Sequence, residues 1–137
     1  MRTATYTDAR FTAAAPALGA VSGDPLPYSP KTMVATIMDY NFGKIGDWTP
    51  TAGLTYAYHG ADESAYSDGV TYHIPSYETL DLRAGAAWNN YSVIVRAINV
   101  ANEYGLTSVA TSSALHSPVE GTVIQPRTFE LTLKARF

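Results

Sequence analysis

Cysteine is absent from the 137 residues. That excludes a disulfide framework, a Cys-ligated zinc site, an iron–sulfur cluster and a cysteine nucleophile, and leaves the compartment open. Charge is scarce as well: 9 Lys+Arg stand against 12 Asp+Glu, for a net charge of −3. No basic run supplies the field that binding to a polyphosphate requires, so no nucleic-acid partner is expected. Long apolar runs are missing too. The best, Ala13 to Val21, is short and carries Pro16 and Gly19, against the ~20 mostly apolar residues of a spanning helix. Met1 to Thr12 reads MRTATYTDARFT; with Asp8 and Arg10 in the way, it does not read as a secretory signal. None of this bears on a membrane β-barrel, whose strands need only about 9 to 11 alternating residues.

What is abundant is the chemistry of sheets and turns: ten Tyr, ten Gly, eight Pro and many Thr. The length suits a single unit spanning residues 1–137. Alternation is clearest in Thr128 to Phe137, where Phe129, Leu131, Leu133, Ala135 and Phe137 share one face and Thr128, Glu130, Thr132, Lys134 and Arg136 the other. Ser76 to Trp88 alternates in the same way, with Leu80, Leu82, Ala84, Ala86 and Trp88 opposite Thr79, Asp81 and Arg83. Period two over such lengths predicts strands. Only Asn89 and Asn90 separate Trp88 from Tyr91, which predicts a hairpin on a two-residue type I′ turn. Its register sets Trp88 beside Tyr91, Ala86 beside Val93, Ala84 beside Val95 and Arg83 beside Arg96. Trp48 to His59 and Lys31 to Phe42 read as two further strands, and Tyr6 to Phe11 as the last part of another. The expected fold is therefore all-β, an antiparallel up-and-down meander of about six strands.

The connections alternate in length. Gly43 to Asp47 and Asn89 to Asn90 are short, whereas Ala13 to Pro30, Gly60 to Pro75 and Gly105 to Pro126 are long, roughly 16 to 22 residues. Structureless loops of that size are uncommon in compact domains, but short turns at one rim and long loops at the other are the rule in transmembrane barrels. Arginine decides which face meets lipid. Arg83 or Arg96 on the lipid side would cost about 2–4 kcal/mol each near the midplane, so the charged faces are expected inside and the apolar faces outside. Trp48, Trp88, Tyr91, Tyr40, Phe42 and Phe137 then fall near the short turns or the C-terminus, as an aromatic girdle would. The competing reading puts these rings in the core of a soluble sheet.

With these residues in view, the chain resembles the C-terminal part of the β-barrel of a TonB-dependent outer-membrane receptor of the proteobacterial type. The resemblance rests on YTDARFT (Tyr6 to Thr12), LPYSPK (Leu26 to Lys31), IPSYETLDLRAGAAW (Ile74 to Trp88), NVANEY (Asn99 to Tyr104) and QPRTFELTLKARF (Gln125 to Phe137). It implies active import of scarce nutrients such as iron–siderophore complexes, cobalamin or oligosaccharides across the outer membrane of a Gram-negative bacterium. It implies no enzymatic activity and no cofactor. Implied partners are outer-membrane lipid, the rest of the barrel, a plug domain, TonB acting indirectly through that plug, and the barrel assembly machinery. Phe129, Leu131, Leu133 and Phe137 are similar to the signal that this machinery reads, and the C-terminus is expected on the periplasmic side. Signal peptide, TonB box, plug and the remaining strands of an about 22-stranded barrel are not in the sequence, so the chain is expected to be a segment of a longer receptor. Six strands fall below the eight of the smallest membrane barrels, and open edges in hydrocarbon cost several kcal/mol per unpaired group. A small oligomeric barrel is the other way to satisfy them.

Catalytic patterns are missing. His59, His73 and His116 lie in or beside different long loops without metal-ligand spacing, and Asp62 and Glu63 read as solvated loop acids. Asp39, Asp81, Arg83, Arg96 and Glu130 share the charged face, with Asp81 the nearest candidate to separate the two arginines. They are expected either to contact the plug or to form a hydrated, self-paired wall. Tyr66, Tyr72, His73 and Tyr104 sit in or beside the long loops, where they are candidates for touching substrate or for packing the loops.

Overall fold

The computed structural model describes residues 1–67, 69–112 and 117–136. Among these no helix occurs, and the chain is built from ten strands: β1 (Arg2–Tyr6), β2 (Thr32–Asn41), β3 (Trp48–His59), β4 (Asp62–Glu63), β5 (His73–Ile74), β6 (Tyr77–Trp88), β7 (Tyr91–Ile98), β8 (Leu106–Ser112), β9 (Ser117–Val123) and β10 (Thr128–Ala135). Six of them form one antiparallel sheet in the order β1-β2-β3-β6-β7-β10. The other four pair off as β4-β5 and β8-β9 within the long connections. The meander is as expected, and the sheet is open, since β1 and β10 are not neighbours.

The expected register holds residue for residue, with Trp88 opposite Tyr91, Ala86 opposite Val93, Ala84 opposite Val95 and Arg83 opposite Arg96. Three expectations need correction. The first strand is Arg2–Tyr6 rather than Tyr6 to Phe11. After Tyr6 the chain leaves the sheet, and Arg10 bridges instead to Pro25 within its own loop. In the hairpin turn Asn89 has φ 47° but Asn90 is not in the left-handed region, so the turn is not the type I′ expected, which requires positive φ at both central residues. The long connections also carry ladders of their own, because backbone groups drawn away from bulk water must pair somewhere.

Among the described residues the sheet has no second layer. Its apolar face carries Leu82 at 42% exposure, Leu131 at 65% and Phe129 at 72%, values incompatible with the core of a soluble sandwich. Among the described residues, the buried hydrophobic side chains are Ala20, Ile74 and Val109, all outside the six-stranded sheet. What holds the sheet together is therefore its ladders and its cross-strand pairs. Trp48 packs on Trp88 at 4.3 Å between ring centroids and Trp88 on Tyr91 at 5.9 Å, while Tyr40 meets Phe42 edge-on at 4.8 Å. The ring belt beside the short turns is thus a contact chain across β3, β6 and β7. Phe137, the last ring assigned to it, lies outside the described residues.

Candidate functional site: the charged row and the loop rim

Four ladders align one row of residues across the polar face. Asp39 is opposite Gly53, Gly53 opposite Arg83, Arg83 opposite Arg96, and Arg96 opposite Glu130. The row reads acid, gap, base, base, acid. Two like charges directly opposite would destabilise the sheet, and the row resolves this by sending the arginines apart. Arg83 reaches over Gly53 to Asp39, donating from Nε to Oδ1 at 2.9 Å and from Nη2 to the same oxygen. Its Nη1 is 3.4 Å from the Thr55 hydroxyl. Arg96 turns the other way, with Nη1 3.6 Å from Glu130 Oε2. Asp81, expected between the arginines, is not there: its Oδ1 accepts the backbone N–H of Asn99 at 2.9 Å. A short carboxylate two residues from Arg83 on one strand is about 7 Å away and has a nearer donor.

Gly53 is the residue that sequence reasoning missed. A Cβ there would stand 2.6 Å from Arg83 Nε and 2.6 Å from Asp39 Oδ1, so the absent side chain is the slot through which the guanidinium passes. The signal available was a glycine on the polar face of an otherwise regular strand, which often marks the close approach of another group.

Where the sheet meets the long loops, Asn99 acts as a clamp. It is 1% exposed with φ 49°, and its amide donates to the Glu103 and Gln125 carbonyls while its Oδ1 accepts the Glu103 N–H, each at 2.9 Å. The left-handed conformation suits Asn, and one buried side chain ties the end of β7 to the return into β10. Beyond it the loops pack on one another. Tyr28 donates its hydroxyl to the Val109 carbonyl at 3.0 Å, and its N–H to the Glu63 carbonyl at 2.8 Å. Ser64, fully buried, accepts the Tyr72 N–H at 2.8 Å.

The substrate candidates are divided among these loops. Tyr66 is half-buried, edge-on to Phe11 at 5.9 Å, with its hydroxyl 3.2 Å from the Pro25 carbonyl; burial first, then the charges of Asp24 and Glu63, raise its pKa. Tyr72 is half-buried beside Ser64, and His73 is exposed with Nδ1 3.0 Å from Glu63 Oε1. Tyr104 stands out to solvent at 74% exposure. Asp62 corrects the reading of a solvated acid: it is only 9% exposed and its Oδ1 is buried without a hydrogen-bond partner. Burial, the largest effect, raises its pKa, opposed by His59 and His73 and assisted by Glu63. His59 is not merely solvated either. Its ring stacks on Tyr77 at 5.0 Å and 6°, and its Nδ1 lies 3.0 Å from the Gly60 carbonyl. His116 lies outside the described residues. On β10, Phe129, Leu131 and Leu133 project together from the apolar face.

No curated protein and no solved structure matches the chain. The family model described as TonB dependent receptor-like, beta-barrel, matches residues 2–102, which takes in the sheet from β1 through β7 and Asn99 but not its partners Glu103 and Gln125. An open, single-layered antiparallel sheet with one apolar and one charged face is what a length of that barrel wall must be, and the chain belongs to the TonB-dependent receptor β-barrel family.

Proposed function

We propose that the chain forms part of the wall and outer loops of a nutrient importer, taking up an iron–siderophore complex, cobalamin or an oligosaccharide through the outer membrane. The observation that carries this is the apolar face, exposed from Met38 through Leu82 and Val95 to Leu133 with none of the described residues packed over it; acyl chains are the medium that fits it. Trp88 to Glu78 spans about 34 Å along the strand at about 3.4 Å per residue, or roughly 25 Å of height at barrel tilt. That matches the hydrocarbon layer. The charged row then faces a lumen, and its less tightly held pair, Arg96 and Glu130, is the part available to a plug domain supplied from outside residues 1–137. Energy reaches the receptor through TonB acting on that plug. Tyr66, Tyr72, His73 and Tyr104 lie on the extracellular rim, and β10 carries the residues read by the assembly machinery, with its end in the periplasm.

The test is made in cells carrying the complete receptor. Cysteine replacing Tyr104 should react with a membrane-impermeant maleimide from outside and cysteine replacing Asn90 should not. Uptake of the cognate nutrient should vanish without TonB, and Arg96→Glu should raise pore conductance by loosening the plug. Labelling at Asn90 alone would invert the topology, and TonB-independent uptake would refute the transport reading.

A further inference from the structure

Above the charged row the polar face changes character. A concavity of about 410 Å³ beneath the long loops has Thr3, Thr5, Thr79, His59, Tyr77 and Ile124 in its lining, and no Asp, Glu, Lys or Arg among the described residues lines it. The concavity one step lower, by contrast, is lined by Asp81, Arg83 and Arg96. Arg83 is six residues from Tyr77, roughly 20 Å along the strand. A solute arriving past the loops therefore meets an uncharged wall first.

Much of that wall is apolar, from Met33, Val34, Ala35, Ala57 and Ile124, and its polar groups are hydroxyls and one imidazole edge. No protein hydrogen bond engages the hydroxyls of Thr3, Thr5 or Thr79 among the described residues, and each can donate one bond and accept others. His59 Nδ1, 3.0 Å from the Gly60 carbonyl oxygen, is the donor in that contact, so Nε2 is the ring nitrogen left for a ligand. Tyr77 is held upright, with the His59 ring on one face. Against its ring lies Gly105, where a Cβ would be 2.5 Å from Cγ. Ile124 and Met33 add apolar surface between these polar points.

We infer that this wall is a binding surface for an uncharged, polyhydroxylated ligand of the saccharide class. Each ligand hydroxyl both donates and accepts, as the threonines do, and its C–H faces suit Ile124 and Met33. An anionic ligand such as a carboxylate or catecholate complex would meet no cation on this stretch of wall among the described residues. This rests on the reading of the chain as importer wall, and it narrows the substrate to one class.

The complete receptor is titrated calorimetrically with neutral hexasaccharides (maltohexaose, cellohexaose, chitohexaose, xylohexaose), a ferric catecholate and cyanocobalamin. At least one hexasaccharide should bind in preference to the other two. Thr79→Val should weaken that binding about 3- to 10-fold, as for one lost neutral hydrogen bond, and Thr79→Ser should restore it. Heat-modifiable migration verifies that each variant is folded. Preference for the catecholate or for cyanocobalamin, no hexasaccharide binding, or an unchanged affinity in Thr79→Val would overturn the inference. TonB-dependent uptake of some nutrient would in those cases leave the transport reading standing, and its absence would sink that too.

Discussion

Gly53 and Asp62 show how much a single side chain, or the want of one, decides in a chain whose six-stranded sheet buries no hydrophobic side chain among the described residues. Gly53→Ala places a methyl group where the Arg83 guanidinium and the Asp39 carboxylate now sit. Both are flexible side chains, so the backbone need not move; the ion pair is displaced, and Arg83 is left facing Arg96. We expect a loss of about 1–3 kcal/mol in the folding stability of the complete receptor, seen as a lower urea midpoint, whereas Ala35→Gly on the same face should cost less than half as much. Asp62 behaves differently. Its raised folded pKa means that its neutral form is favoured in the folded loop, so its contribution is fully present below the ordinary carboxylate range. That contribution is lost as pH rises through the folded value. Hydrogen exchange at the Ser64 and Tyr72 amides should therefore quicken as pH rises, beyond the intrinsic chemical trend, and Asp62→Asn should remove the excess. An excess that persists in the variant would place its origin elsewhere.

The last strand of the sheet sets out its two environments in alternation. Leu131 projects from the apolar face in register with Val95 and Ala84, and its neighbour Thr132 from the polar face in register with Ile94. Replacing Leu131 by Arg should cost about 2–4 kcal/mol if that face meets the bilayer midplane, and the same change at Thr132 much less. Folding titrations into phospholipid vesicles measure both, and equal costs would contradict the assignment of faces. The hairpin of β6 and β7 was legible from the chain alone because its turn has only two residues, so register and facing pattern are local facts. Tyr6 to Phe11 misled because a few alternating residues cannot be told from a loop edge when no partner strand is in view. The ladders inside the long connections were invisible for a related reason: β4 and β5 are two residues each, too short to leave a periodic trace.

Taken whole, the sheet ends in β1 on one side and β10 on the other, with neither edge paired among the described residues. Unpaired backbone groups in hydrocarbon cost several kcal/mol each, so residues 1–137 expressed alone should partition into detergent and self-associate through these edges. Sedimentation in detergent should show multimers at concentrations where the complete receptor is monomeric. A monodisperse monomer in buffer without detergent would argue that the apolar face is covered in a way the sheet does not reveal.

The amino-acid sequence alone determined five strands of the sheet (β2, β3, β6, β7 and β10), the division into an apolar and a charged face, the Arg83–Arg96 pairing and the segregation of long and short connections, because each depends on alternation or on a turn between adjacent strands. Only the tertiary structure decided that the two arginines part toward Asp39 and Glu130, that Gly53 is the slot through which Arg83 reaches Asp39, that Asn99 closes the loop return and that Asp62 is buried. Those facts depend on which residues several ladders bring into one row or one loop cluster, a sum of registers over segments 44 residues apart for Arg83 and Asp39. No local pattern encodes such a sum.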